Sequence, residues 1–178
     1  MKKLIVTAII ALMPVLMFAQ PAFSKFEDRE DVTTVVVTKK MFEMMGNVKN
    51  KESQQYLNMI KKLENLRVFT TQNTKTAAEM KATAEKHIKS AGLEELMRVN
   101  DKGQNIRIMV KTGSSETKVK ELLMFIQDSG KGGETVLMSL IGEFDLNDIS
   151  MLTEKMNLPG GNELKKAGKG AKGPKGPK

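Results

Sequence analysis

The fold of this chain is decided by residues 118–144, which read KVKELLMFIQDSGKGGETVLMSLIGEF. Apolar residues dominate Leu122–Ile126 and Val136–Ile141, and the glycine-rich sequence Ser129–Gly133 between them is typical of a turn. The pattern predicts a hairpin of two antiparallel strands, Lys118–Asp128 and Glu134–Phe144.

Both predicted strands are apolar at successive positions, so both of their faces need cover. We therefore expect either central strands of a sheet or strands with one face against another subunit. The second case predicts an interaction face formed by side chains of this hairpin: Leu122, Met124, Ile126, Leu137 and Ile141.

Four further strands are indicated outside this hairpin. Residues alternate between apolar and polar in Leu93–Val99 and Ile106–Val110, around a turn at Asn100–Gly103, which predicts a hairpin with one solvated face. The β-branched run Val32–Thr38 predicts the first strand, and Arg67–Thr71 a short one.

Helical spacing of apolar residues predicts four helices, over residues 41–48, 56–63, 77–91 and 146–156. Thr76 and Glu79 form a plausible capping box for the third helix, and Gly92 a plausible end. Asp145 is the expected N-cap of the last helix. These elements predict an α+β fold, an antiparallel sheet of about five to six strands with helices packed mainly on one face.

The two ends of the chain differ in composition from its body. Residues 1–19 have a basic start, an apolar run and a final Ala19, which predicts a cleavable signal peptide. We expect an exported protein in the periplasm or outside the cell, with no transmembrane helix after cleavage. No cysteine follows the apolar run, so a lipoprotein is not expected. Residues 20–162 then form a single domain, and residues 163–178 a disordered tail rich in Lys, Gly and Pro.

The basic character of the chain comes from its tail. The net charge is +8, but residues 20–162 carry 21 basic and 20 acidic side chains, so nucleic-acid binding is not expected. Lysines in the tail recur at every third residue, which in a polyproline II helix would align them along one edge. Such an edge suits a polyanion, an anionic lipid or an acidic polysaccharide; the alternative is a solubilising tail. The lysines are Lys166, Lys169, Lys172, Lys175 and Lys178.

No residues form a convincing catalytic, metal or cofactor site. The chain has no Cys and one His, which excludes thiol catalysis and multi-histidine metal sites. His87 lies at the edge of a helical apolar stripe and is interpreted as a boundary residue. Ser115 and Lys118 match a serine–lysine pattern, but Lys111–Gly113 precede the serine, the reverse of the penicillin-recognition order. We expect a protein that is not an enzyme and has no cofactor.

Methionine is unusually common, with eleven residues after position 19. Met41, Met44 and Met45 could suggest a copper(I) site. Because the methionines are spread over all predicted elements at apolar positions, we interpret them as core packing. Some of them could instead line an apolar pocket, which leaves a small-molecule or lipid carrier as an alternative function.

The chain resembles a family of exported Bacteroidetes proteins catalogued as domain of unknown function 4252. The resemblance is carried by Val32–Phe42 and by the hairpin with its closing Gly142–Asp145. It implies an envelope protein, with a role in envelope response, and supplies no catalytic residues. The expected function is therefore a non-catalytic interaction with an envelope protein or with a second copy.

Overall fold

A computed structural model describes residues 22–47, 54–101, 103–115, 117–128, 130, 133–156, 159–160 and 164–165. The expected signal peptide and the five tail lysines lie outside these ranges. None of the helices in the described ranges is both long and apolar enough to cross a membrane.

The described chain contains six strands and four α-helices. A single 3-10 turn, Ser24–Phe26, precedes the first strand, and another, Leu146–Asp148, leads into the last helix. The strands are β1 (Thr33–Thr38), β2 (Leu63–Thr71), β3 (Glu94–Asp101), β4 (Gln104–Thr112), β5 (Lys118–Asp128) and β6 (Thr135–Asp145). The helices are α1 (Lys39–Asn47), α2 (Gln54–Ile60), α3 (Thr74–Ala91) and α4 (Ile149–Met156).

All six strands form one antiparallel sheet in the order β1-β2-β6-β5-β4-β3. The predicted hairpins are present as β3–β4 and β5–β6, and the α+β class is confirmed. Strands β5 and β6 occupy the middle of the sheet, as their two-sided apolar pattern requires. Strands β1 and β3 lie at its two edges.

Helices cover both faces of the sheet, with most of them on one. Helices α1, α2 and α4 build the first core, which includes Phe42, Ile60 and Leu152. Helix α3 and the N-terminal turn build the second core, where Met80 packs with Phe26. The two cores therefore meet the sheet from opposite sides.

Three local predictions differ from the structure. Leu63 begins β2 instead of ending a helix, because the strand is longer than its β-branched part. The N-cap of α3 is Asn73, whose side chain accepts hydrogen bonds from the N–H groups of Lys75 and Thr76.

Asp145 ends β6 instead of capping α4 and accepts a hydrogen bond from the Thr117 hydroxyl at 3.0 Å. The predicted end of α3 at Gly92 is confirmed, with φ 67°.

Candidate interaction edge

The edge strand β1 exposes apolar side chains on both of its faces. In the described chain it pairs with β2 alone, with Val35 opposite Val68 and Val36 opposite Arg67. Successive residues of a strand point to opposite faces, and Val37 packs against the first core. Val35 therefore lies on the face of the first core and Val36 on the face of the second. Their exposed fractions are 48% and 39%.

Helix α1 extends this apolar surface directly from the end of β1. Its Phe42 is fully buried and its Met45 packs against the first core. Met41 and Met44 are instead 50% and 58% exposed. The large exposed hydrophobic residues of the described chain thus fall within ten positions, Val35–Met44, which we call the β1 edge. Exposed apolar side chains gathered in one segment of the chain indicate an interaction site.

Charges of opposite sign flank the two ends of β1. The exposed acidic residues Asp28 and Glu30 precede the strand, and the exposed lysines Lys39 and Lys40 follow it. The strand itself, TTVVVT, carries no charge. Strand β1 is therefore an uncharged apolar segment with acidic side chains before it and lysines after it.

A network of ion pairs and hydrogen bonds holds the segment before β1 against the rest of the domain. The Arg29 guanidinium donates to Asp31 at 3.0 Å, to Glu79 of α3 at 2.7 Å and to the Thr76 hydroxyl at 2.7 Å. The Thr76 hydroxyl in turn donates to Asp31. The pKa of the Asp31 carboxyl is lowered, first by the hydrogen bond from Thr76 and second by that from Arg29.

Two further contacts reinforce this attachment. Arg67 of β2 donates to Glu27 at 2.8 Å, and the Thr71 hydroxyl donates to the Asp31 carbonyl at 2.7 Å. The segment that leads into β1 is thus bound to both β2 and α3. Such support fixes the backbone of an edge strand before any partner binds.

The opposite edge of the same sheet has a different character. Strand β3 has an irregular register between Glu95 and Met97. The guanidinium of Arg98 donates to Glu95 at 2.6 Å, and that of Arg107 donates at 3.3 Å. These bonds lower the pKa of Glu95, with Arg98 as the larger cause. Charged side chains and bulges are the devices that protect edge strands against pairing, so β3 is protected where β1 is not.

The interaction face predicted on the central hairpin is corrected by the structure. Leu122, Met124 and Ile126 are buried in the first core, and Leu137 is buried in the second. Ile141, the fifth member, is half-buried. Helices of the same chain supply the cover that the apolar pattern requires. Apolar residues on both faces of the hairpin therefore indicate central strands of the sheet, the first of the two predicted cases, and not a face against another subunit.

The described surface includes three open clefts. One, about 470 Å³, lies beside α3 and is lined by residues that include Lys25, Lys86 and His87. The others, about 360 and 390 Å³, are lined mainly by polar residues. Met59 is the one methionine in the three linings, so these clefts do not match the methionine-lined pocket considered above.

The residues considered for catalysis or metal binding lie in ordinary polar contacts. His87 is half-buried, as predicted for a boundary residue, and contacts Glu121 of β5. The carbonyl of Ser115 accepts a hydrogen bond from the N–H of Lys118, within an exposed turn between β4 and β5. Within the described ranges, no group of three or more His, Cys, Asp or Glu residues could hold a metal ion.

The β1 edge was not among the sites expected from the sequence. Regular helical spacing at Met41, Met44 and Met45 predicted burial, but only Met45 meets the core. The sequence feature that could have indicated this surface is β1 itself, an uncharged β-branched run with acidic residues before it and two lysines after it.

Comparison with known proteins places most of this structure in one family. Residues 26–152 match the family model described as Domain of unknown function (DUF4252). This range contains all six strands and the first half of α4. No curated protein and no solved structure matches the chain.

Proposed function

The chain belongs to the family described as a domain of unknown function, and from this premise we propose that it is a non-catalytic protein of the cell envelope. It acts by binding another polypeptide through the β1 edge. The observation that carries this proposal is the contrast between the two edges of one sheet: β1 presents bare valines, whereas β3 presents charges and an irregular register.

Strand addition is the mode of binding that this geometry favours. An edge strand offers unpaired backbone N–H and C=O groups to an incoming extended segment, which joins the sheet as a further strand. The backbone bonds supply affinity, and side chains on the two faces supply selectivity. At β1 the selecting side chains are Val35 on one face and Val36 on the other, and the exposed Met41 and Met44 lie on helix α1, which follows the strand.

The envelope location in this proposal is supported by the sequence of residues 1–19. Cleavage after Ala19 leaves Gln20 as the first residue of the mature protein. Mass spectrometry of the protein from a producing bacterium tests this point. We expect a mature N-terminus at Gln20 in the envelope or medium fraction; an intact N-terminus in the cytosol would contradict export.

Site-specific photocrosslinking in producing cells tests the role of the β1 edge. A photoreactive phenylalanine analogue replaces Val35 in one strain and the exposed Glu94 of β3, the control position, in another. We expect a crosslinked polypeptide from position 35 and none from position 94. Addition of Val36→Lys should abolish the product, because a charge on an edge strand opposes pairing. Equal products from both edges, or none from position 35, would refute the proposed function.

A further inference from the structure

We infer that the polypeptide paired with β1 is β1 of a second copy of this chain, antiparallel to the first about a two-fold axis at Val35. This inference rests on the proposed function and names its partner. It is drawn from the symmetry, charge and side-chain character of the β1 edge.

Strand geometry limits how two copies of β1 can pair. Residues directly opposite each other in an antiparallel pair have side chains on the same face. A two-fold axis perpendicular to the sheet must therefore pass midway between one residue and the same residue of the second copy. With Val35 on the axis, Thr34 lies opposite Val36 of the second copy and Thr33 lies opposite its Val37. Cross-strand pairs of β-branched side chains stabilise a sheet.

Electrostatics favours this orientation. An antiparallel pair brings the exposed acidic residues Asp28 and Glu30, which precede β1 in one copy, towards the exposed lysines that follow β1 in the other, and the symmetry repeats the contact. A parallel pair would instead place lysines beside lysines and acids beside acids at the two ends. Like charges directly opposite each other are destabilising, so the flanking charges select the antiparallel pair.

Strand β3 is a poorer partner for β1 than a second β1. Pairing β1 with β3 of another copy would place valines against Glu95 and Arg98, whose charges already pair with each other. It would also have to follow the irregular register at Glu95–Met97. A pair of β1 strands has neither obstacle.

The absence of cysteine from the chain gives a direct test of this pairing. A Val35→Cys variant has a single thiol, which on the two-fold axis faces the same thiol of the second copy. We expect mild oxidation to give a disulfide-linked dimer. The control Thr33→Cys is also exposed, but its thiols would be about 14 Å apart along the strands. Since disulfides need Cα atoms within about 7 Å, Thr33→Cys should give no disulfide-linked dimer on oxidation.

Sedimentation equilibrium of the purified protein provides a second measurement without a crosslink. We expect a concentration-dependent mass that approaches two copies. Val36→Lys should weaken association about tenfold or more, because it places charge within the strand pair. Lys40→Glu should weaken it as well, and Glu30→Lys combined with Lys40→Glu should restore it by exchanging the charges. Association unchanged by Val36→Lys would overturn the inference.

The crosslinking outcomes separate this inference from the proposed function. Equal oxidation yields at positions 33 and 35, or no dimer at position 35, would overturn the second copy as partner. A photocrosslink from position 35 to a different polypeptide would overturn it too, while supporting the proposed function. No photocrosslink from position 35 would overturn both.

Discussion

The Nε2 atom of His87 lies 2.5 Å from Oε1 of Glu121, and this contact joins helix α3 to strand β5. The two side chains are 20% and 12% exposed. The ring of Phe23 meets the imidazole edge-on, with ring centroids 5.2 Å apart. His87 therefore links the N-terminal turn, helix α3 and the central strand β5.

Replacing His87 by alanine should lower the free energy of unfolding by about 1–3 kcal/mol, because Glu121 would lose its partner while remaining mostly buried. Urea unfolding followed by circular dichroism measures the change. Lys89→Ala, an exposed change on the same helix, is the matched control and should have little effect. Equal stabilities of the two variants would contradict a structural role for the histidine contact.

Asp31 should make the stability of the fold depend on acid. Its folded pKa is lowered by Thr76 and Arg29, so its contribution is present above the ordinary carboxyl pKa and is lost as pH falls through the folded value. Asp31→Asn should lower Tm near neutral pH, and the difference from wild type should shrink as pH falls below about 4. Thermal melts from pH 7 to pH 2 measure it. Asp28→Asn, at an exposed position, is the matched control and should leave Tm near neutral pH unchanged.

Consecutive residues of β5 should each be essential to a different core. Leu122 belongs to the first core and Leu123 to the second, and both are fully buried. Replacing either by alanine should cost about 2–5 kcal/mol through lost burial and a cavity. The exposed Lys120→Ala in the same strand is the control. Tolerance of one leucine change, measured by urea unfolding, would mean that its face of the sheet is not packed.

Replacement of Gly142 by any residue with a side chain should destabilise the protein. Its φ is 147°, and a Cβ atom there would lie 2.5 Å from the Lys62 carbonyl oxygen. Gly142→Ala should therefore cost clearly more than about 1 kcal/mol of unfolding free energy. Gly103→Ala provides the comparison, since φ there is also positive but no atom lies within 4 Å. Similar losses for both variants would assign the effect to φ alone.

The lysine tail should add salt-sensitive binding to anionic lipid vesicles. Contacts between lysines and lipid phosphates are electrostatic, so raising the salt concentration should weaken them. Cosedimentation with vesicles compares the whole protein with a variant that lacks residues 163–178. We expect binding by the whole protein only, and neutral vesicles serve as the control. Equal binding by the shortened protein would exclude the tail as the lipid contact.

The local parts of this fold could be predicted from the sequence, because short-range patterns determine them. Alternating residues and turn sequences identified both hairpins of the second half of the chain. Pairing between distant segments has no such signature: β1 and β2 are separated by two helices, and nothing in Val32–Thr38 indicates which strand it will join.

The candidate site was harder to predict, because it depends on what lies opposite each side chain. Apolar spacing at Met41 and Met44 resembles that of a buried helix face, yet both lie outside the core. Apolar character on the central hairpin suggested exposure to a partner, yet Leu122 and Leu137 are covered by the chain's own helices. The apolar residues of a segment indicate that it must be buried, and only the three-dimensional fold shows which part of the protein buries it.

The different character of the two sheet edges also sets the size that an assembly can reach. In the proposed dimer, β3 is the edge strand at each end of the combined sheet of described residues, and its charges and irregular register discourage another strand. On this pairing, growth would end at the dimer, and more protein would yield more dimers instead of longer fibrils.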